Sequence, residues 1–234
     1  MKKKILIYSL LLIMIFTMNI QTFAAENTQR VINPNKPMVA LTFDDGPSQY
    51  TPRILDVLNE NNSKGTFFVV GSSINRNKEL LTVMIEDGHE IGNHSYNHKD
   101  LTAISQEELY RQIVGTDDLL EIATGHRTTI MRPPYGRNNV EMNKILYKPI
   151  ILWSLDTRDW ENRNAETIKN NILDNVKDGD IILMHDLYDS TAEAVETVVP
   201  ELIKRGYQLV TVSELMEYRG LDLVSGQVYR DMYK

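Results

Sequence analysis

Short apolar runs alternate with amphipathic segments along most of this chain. The runs predict seven strands, at 38–43, 66–70, 90–93, 129–132, 150–154, 180–184 and 208–211. The amphipathic segments predict seven helices, near 51–61, 77–87, 106–123, 139–147, 165–177, 191–205 and 213–219. Strand followed by helix, repeated about seven times, is typical of an α/β protein with a parallel sheet covered by helices. The pattern fits either a doubly wound sheet or a barrel.

The first 25 residues have a different pattern. Three lysines at 2–4 precede an apolar run over 5–16, and small residues follow at Ala24 and Ala25. A basic start, an apolar run and a small-residue cleavage zone are typical of a signal peptide. We therefore expect a secreted, extracellular protein. An uncleaved membrane anchor is the alternative, because the apolar stretch extends to Ile20, and the protein would then be associated with the membrane or cell wall.

The rest of the chain reads as one catalytic domain. Residues 26–36 are polar and predict a short linker, residues 37–220 hold the strand–helix units, and residues 221–234 predict an appended strand or a tail. We find no internal repeat and no second-domain boundary, and we expect a monomer.

Charge and composition narrow the possible partners and cofactors. The formal net charge is −7, and loss of the first 25 residues with their three lysines shifts it to −10. An acidic exported protein is a poor candidate for nucleic acid and is repelled by anionic surfaces. The chain has no cysteine, so it can form neither disulfides nor thiolate metal sites. Any metal must be held by His, Asp, Glu or water.

The chemically capable side chains cluster at the carboxyl ends of the predicted strands. These clusters are Asp44–Asp45, His94 and His98, the RPPYG motif at 132–136, the DTRDW motif at 156–160, and His185–Asp186. In parallel α/β folds the loops at that edge converge on one crevice, where binding and catalytic sites are built.

Two of these clusters together predict a metal site. His94 and His98 are four residues apart, so in a turn or helix they face one direction. Two imidazoles and one carboxylate, with one coordination position left to water, suit a catalytic zinc ion. Such a histidine pair alone is more often a surface or capping feature. The adjacent Asp44 and Asp45, whose charges repel each other, and the third histidine at 185 favour the metal site.

The five clusters resemble, in the same order, the motifs of NodB-type polysaccharide deacetylases, carbohydrate esterase family four. The matching segments are TFDDG at 42–46, HSYNH at 94–98, RPPY at 132–135, DTRDW at 156–160, and Leu183 to His185. Together they span most of the chain beyond the signal segment. The resemblance implies a deformed (β/α)7-type barrel with fewer than eight full units.

The resemblance also implies a role for each residue. Asp45, His94 and His98 would hold a divalent metal, Asp44 would be the general base, and His185 the general acid. Arg132 would pair with Asp44, and Asp159 with His185. The backbone N–H of Tyr135 would donate to the oxyanion, while Trp160 and Leu183 would wall the pocket for the acetyl methyl group. The metal would be Zn²⁺, with Co²⁺ or Ni²⁺ as alternatives for this donor set.

Simpler interpretations remain for individual residues. Arg132 could be a surface cation before a Pro-Pro turn, and Asp159 could cap the helix near 165. Trp160 could belong to the core, and Trp153, inside a predicted strand, is expected there. Tyr50 is a candidate for stacking on a sugar.

The leading hypothesis is a metal-dependent N-deacetylase that acts on N-acetylglucosamine in a glycan. Peptidoglycan is favoured over chitin because export and a single domain suit an enzyme that modifies the cell wall. Tyr135, where family members acting on muramic acid tend to carry Arg, favours glucosamine. An O-acetyl xylan esterase using the same site is the second hypothesis. A catalytically inactive glycan-binding relative is the third, disfavoured because every motif residue is present.

Overall fold

The computed structural model describes residues 30–233, and it confirms the α/β class. Its strands are β1 Met38–Asp44, β2 Thr66–Val69, β3 Glu90–Asn93, β4 Ile150–Ile151, β5 Leu155–Asp156, β6 Ile181–His185, β7 Gln208–Leu209 and β8 Val228–Tyr229. Its α-helices are α1 Thr51–Glu60, α2 Lys78–Glu86, α3 Gln106–Thr124, α4 Val140–Ile145, α5 Asp159–Asn162, α6 Ala165–Asn175, α7 Asp189–Lys204 and α8 Val212–Tyr218.

The strands form a curved parallel sheet around β1. The order is β3-β2-β1-β6-β5. Strands β7 and β2 share one edge of β1: β7 pairs with Met38 and Val39, and β2 pairs with the last three residues of β1. Met131 continues the curve, since it bridges Asn93 of β3 and Ile150 of β4, and β8 pairs with β4. Within residues 30–233 no ladder joins β4 to β5. The result is the deformed barrel that the motifs predicted.

Strand β1 shows how the sequence builds this barrel. Successive side chains of a strand point to opposite faces. Val39, Leu41 and Phe43 pack into a core shared with helices α1, α2 and α7. Met38 and Ala40, on the other face, pack in a second cluster with residues of β6 and α8. Thr42 and Asp44 continue the face that begins with Met38 and Ala40. The buried strand therefore ends in a polar side chain at the barrel's rim.

Predicted strand 129–132 is wrong, because only Met131 makes strand bridges. Its N–H donates to the Pro149 carbonyl, and the next N–H, that of Arg132, donates to the Asn93 carbonyl. Pro133 and Pro134 follow and have no N–H to continue a ladder. The segment is therefore a single bridging residue between β3 and β4.

Predicted strand 150–154 is wrong beyond Ile151, because β4 ends there and the next strand, β5, begins only at Leu155. The Leu152 N–H donates to Tyr229 on one side, whereas the Ser154 N–H donates to Ile181 on the other. The chain therefore changes neighbours between these residues. Trp153 lies in this crossing and not within a strand, and Asp156 belongs to β5 instead of following it.

The C-terminal segment contributes to the barrel through β8, and Met232 is buried in the second cluster. Gly179 has φ +97° and lies beside the Met232 backbone, where an added Cβ would lie 2.3 Å from the Met232 carbonyl oxygen. No helix among residues 30–233 is long and apolar enough to cross a membrane. The predicted signal segment, 1–25, lies outside the described residues.

Candidate active site

The candidate site begins where β1 ends. The Asp44 carboxylate points into the barrel, and its Oδ1 accepts a hydrogen bond from Arg132 Nη1 at 2.7 Å. Arg132 is fully buried and also donates to Thr42 Oγ1 and to the carbonyls of Ile151 and Leu152. It is therefore not a surface cation. Its guanidinium binds the carbonyls at the open seam between β4 and β5 and holds Asp44 in one orientation.

Asp45 turns away from its neighbour because its backbone has φ +74°, in the left-handed region. Its Oδ1 lies 3.4 Å from His94 Nε2 and 3.3 Å from His98 Nε2. The change of backbone direction thus gives the two adjacent carboxylates different main partners: Asp44 is held by an arginine, with its Oδ2 3.7 Å from His94 Nε2, whereas Asp45 faces both imidazoles.

Asp45, His94 and His98 fit a divalent metal ion. Among residues 30–233 they are the group whose donor atoms all lie within 4.8 Å of one another. A tetrahedral site with metal–ligand bonds of about 2.05 Å separates its donors by about 3.3 Å, close to both distances from Asp45. Asp45 Oδ1 is buried and has no protein hydrogen-bond partner among the described residues, as expected for an oxygen facing a metal.

The imidazoles are oriented for this purpose. His94 Nδ1 lies 2.7 Å from the Arg132 carbonyl oxygen and can donate to it, which leaves Nε2 free to face Asp45. Burial alone would raise the pKa of Asp45, but the close His94 ring and the charges of His94 and His98 lower it to about 2. The carboxylate is therefore ionised across the physiological range, as a metal ligand must be.

His185, at the end of β6, forms the opposite side of the site with Asp159. Its Nδ1 lies 2.8 Å from Asp159 Oδ1. Asp159 is fully buried, and its Oδ2 accepts from the His185 N–H and the Thr191 hydroxyl, both at 2.7 Å. Burial alone would lower the pKa of His185, but the hydrogen bond to Asp159 and its charge raise it to about 9. The imidazole is thus a cation at neutral pH.

These groups face a cavity of about 500 Å³. Eight of the ten predicted site residues line it: Asp44, Asp45, His94, His98, Tyr135, Trp160, Leu183 and His185. The other two, Arg132 and Asp159, lie behind Asp44 and His185 as their hydrogen-bond partners. The structure therefore brings all ten residues to one place.

The predicted wall residues differ in exposure. Leu183 is buried, whereas Trp160 is 45% and Tyr135 62% exposed. The Tyr135 backbone has φ +61°, and its ring meets the His98 ring edge-on with centroids 4.6 Å apart. Trp160 is therefore not a core residue, and its ring is available at the mouth of the cavity.

Trp153 and Asp186 lie near the site, although no role in it was predicted for them from the sequence. Trp153 lines the cavity, and a Cβ on Gly136 would lie 2.7 Å from its ring, so the ring packs beneath the Tyr135 turn. Asp186 is buried beside Gly46, and its carboxylate accepts a hydrogen bond from the Thr51 hydroxyl. Burial raises its pKa to about 7. Its position directly after His185 was the only sequence signal.

Comparison with known proteins points to one family. The profile described as polysaccharide deacetylase matches residues 32–148. The chain is 41% identical over 192 residues to the peptidoglycan-N-acetylmuramic acid deacetylase PdaC of Bacillus subtilis, covering 82% of this chain. It is 44% identical over 194 residues to the peptidoglycan-N-acetylglucosamine deacetylase PgdA of Listeria monocytogenes, also covering 82%. The chain spans 41% of the length of each of these relatives.

Solved structures agree with the sequence match. A T48 deacetylase solved with substrate superposes with a TM-score of 0.82 at 38% identity, covering 85% of this chain and 100% of that one. The PdaC structure superposes with a TM-score of 0.79 at 42% identity, covering 81% of this chain and 94% of that one.

Proposed function

Because the chain belongs to the polysaccharide deacetylase family, we propose that it hydrolyses the acetamide of N-acetylglucosamine units in a glycan, with peptidoglycan as the main substrate. The observation that carries this proposal is the arrangement of one cavity. A candidate metal group, the Asp44 carboxylate held by a buried arginine, and a cationic imidazole all face it, and these are the parts that amide hydrolysis requires.

Amide hydrolysis needs an activated water, a stabilised oxyanion and a proton for the departing nitrogen. Asp45, His94 and His98 would hold the metal, which supplies Lewis-acid polarisation of the carbonyl and lowers the pKa of water. The donor set suits Zn²⁺, which we propose as the native ion; Co²⁺ and Ni²⁺ are the alternatives that metal analysis would distinguish.

Asp44 would accept the proton from the attacking water through its carboxylate. Its Oδ1 is held by Arg132 at 2.7 Å. The buried guanidinium fixes the direction of the carboxylate, so that the base needs no reorganisation when the water is deprotonated. A positioned general base of this kind contributes ~10²–10⁴ in rate.

His185 would protonate the departing amine. Its Nδ1 faces Asp159, so the proton that can be transferred is on Nε2. A pKa of about 9 keeps this proton present at neutral pH. The Tyr135 N–H would donate to the oxyanion, and Leu183 and Trp160 would enclose the methyl group of the acetyl.

We further propose that residues 1–25 direct export and that the protein acts outside the cell, on the pattern of lysines, apolar run and small residues. N-terminal sequencing of protein recovered from the medium tests this. A start at or just after Ala25 supports cleavage, whereas a membrane-bound protein that begins at Met1 supports an anchor.

The proposed activity is tested by measuring acetate and free amine together on peptidoglycan, chitooligosaccharides and acetylxylan. We expect equal amounts of acetate and amine from peptidoglycan, with mass spectrometry of the muropeptides locating the loss on glucosamine. Acetate without amine, from acetylxylan alone, would make the protein an O-acetyl esterase. Loss of acetate from muramic acid alone would overturn the assignment of the sugar.

A further inference from the structure

The loop that carries the two histidine ligands, residues 94–98, lies on helix α3. The backbone N–H groups of Tyr96 and Asn97 both donate to Oε1 of Gln112, at 3.0 and 3.1 Å. The loop has two residues with left-handed backbone, Ser95 at φ +63° and His98 at φ +59°. Non-glycine residues adopt such conformations at a cost, so surrounding contacts must hold them there.

Asn93 connects this loop to the core. Its Oδ1 accepts a hydrogen bond from the Ser95 N–H at 2.8 Å, and the Ser95 hydroxyl accepts from the His98 N–H at 3.0 Å. Its Nδ2 donates to Asp117 Oδ1 and to the Ile113 carbonyl, each at 2.9 Å. A continuous hydrogen-bonded path therefore runs from Asp117 through Asn93 and Ser95 to His98.

Asp117 is a fully buried carboxylate on α3, and four side chains from distant segments donate to it. Thr128 Oγ1 donates to Oδ1 at 2.5 Å, and Lys148 Nζ lies 3.1 Å from Oδ2. The Tyr147 hydroxyl also donates to Oδ2, and Asn93 is the fourth donor. Lys148 is itself buried. Separating Asp117 from Lys148 would leave a buried charge without its partner, which is costly. The Asp117 side chain is therefore held in one orientation.

We propose that Asp117, held by Lys148, is a positioning residue that sets the geometry of the His94–His98 loop and thereby the affinity of the site for its metal. The inference rests on the proposed metal site. Asp117 contacts neither the cavity nor the histidines and acts through Asn93. Groups that orient metal ligands typically change metal affinity by ~10–100-fold when they are altered.

The variant Asp117→Asn tests the proposal, because it keeps the size of the side chain but replaces one accepting oxygen with a donor. Each purified protein is stripped of metal, and its Zn²⁺ affinity is measured by competition with a chromogenic chelator. We expect the variant to bind Zn²⁺ at least about tenfold more weakly than the original protein.

Glu90→Gln is the matched control. Glu90 begins the strand that Asn93 ends, and its half-buried carboxyl accepts from Thr66 Oγ1 at 3.0 Å and from the Ser213 N–H at 3.1 Å. We expect this variant to lower the unfolding temperature without changing Zn²⁺ affinity. If Asp117 only stabilised the fold, Asp117→Asn and Glu90→Gln would both lower the unfolding temperature and leave the Zn²⁺ affinity unchanged.

Thr128→Val decides the matter if Asp117→Asn does not fold, since it removes one donor from Asp117 Oδ1 and preserves shape. We expect its Zn²⁺ binding to weaken by about threefold or more. Unchanged affinity in the folded variants, with normal binding by the original protein, would overturn the role of Asp117. Absence of Zn²⁺ binding by the original protein would instead overturn the proposed function.

Discussion

Arg132 donates to Asp44 inside the barrel at 2.7 Å; the arginine side chain is fully buried, and only 5% of the Asp44 side chain is exposed, toward the cavity. Burying two charges is costly unless they are paired and hydrogen-bonded, and here every other polar contact of the guanidinium is to protein oxygen. The pair closes the seam of the barrel and fixes the carboxylate that we propose as the base. One arginine therefore connects the deformation of the barrel with the chemistry of the site.

Asp44→Asn is expected to lower turnover by ~10²–10⁴-fold, because an amide cannot accept the proton of the attacking water. Metal content should remain that of the original protein, since Asp45 and the two histidines are the group that fits the ion. Acetate release and metal analysis on the same sample check this. Loss of the metal in the variant would make Asp44 a ligand.

The His185–Asp159 pair predicts an alkaline limb in the pH profile. Because Asp159 raises the pKa of His185 to about 9, kcat/KM should decline with a midpoint near pH 9. In Asp159→Asn the stabilising charge is absent, so the limb should move toward neutral pH. An unchanged midpoint in the variant would show that another group is the acid.

The same pair predicts how stability depends on pH. The folded pKa of His185 exceeds its ordinary value of 6.5. Its contribution to stability is therefore complete below pH 6.5 and is lost as the pH rises through about 9. The difference in unfolding temperature between the original protein and Asp159→Asn should be largest near pH 6 and should shrink as the pH rises through about 9. A constant difference across this range would contradict the assignment.

Gly46→Ala is expected to destabilise the protein, because the new Cβ would lie 2.1 Å from both carboxylate oxygens of Asp186. Overpacking of this kind typically costs about 1–3 kcal/mol. Gly115→Ala in helix α3 is the control, since its Cβ would meet no atom within 4 Å and should add stability. The unfolding temperatures of the two variants check this. If Gly46→Ala were as stable as Gly115→Ala, the Asp186 side chain would be free to move away from the new Cβ.

Trp153→Ala should reduce turnover more than it reduces stability, because the indole packs beneath Gly136 and so supports the Tyr135 turn. Trp153→Phe, which keeps an aromatic ring, should recover part of the activity. Steady-state kinetics and thermal unfolding of both variants check this. Full activity in Trp153→Ala would exclude a role for the ring in holding the turn.

The sequence predicted those parts of the molecule that depend on local pattern. Helix α3 was predicted at 106–123 and lies at Gln106–Thr124, because its apolar spacing is a local signal. The convergence of Asp45, His94 and His185 followed from the rule that parallel strands end at one edge. The breaks at Met131 and Trp153 could not be predicted, since they depend on which distant strand each N–H meets. Asp117 was missed for the same reason: its four donors come from distant segments.

The proposed mechanism requires one metal ion, bound by Asp45, His94 and His98. The most direct test titrates the metal-free protein with Zn²⁺ while acetate release from peptidoglycan is measured. We predict no acetate release without metal and a linear rise in its rate up to one Zn²⁺ per chain. His94→Ala should release no acetate at any ratio of Zn²⁺ to protein. Acetate release by the metal-free protein at the full rate would contradict the account.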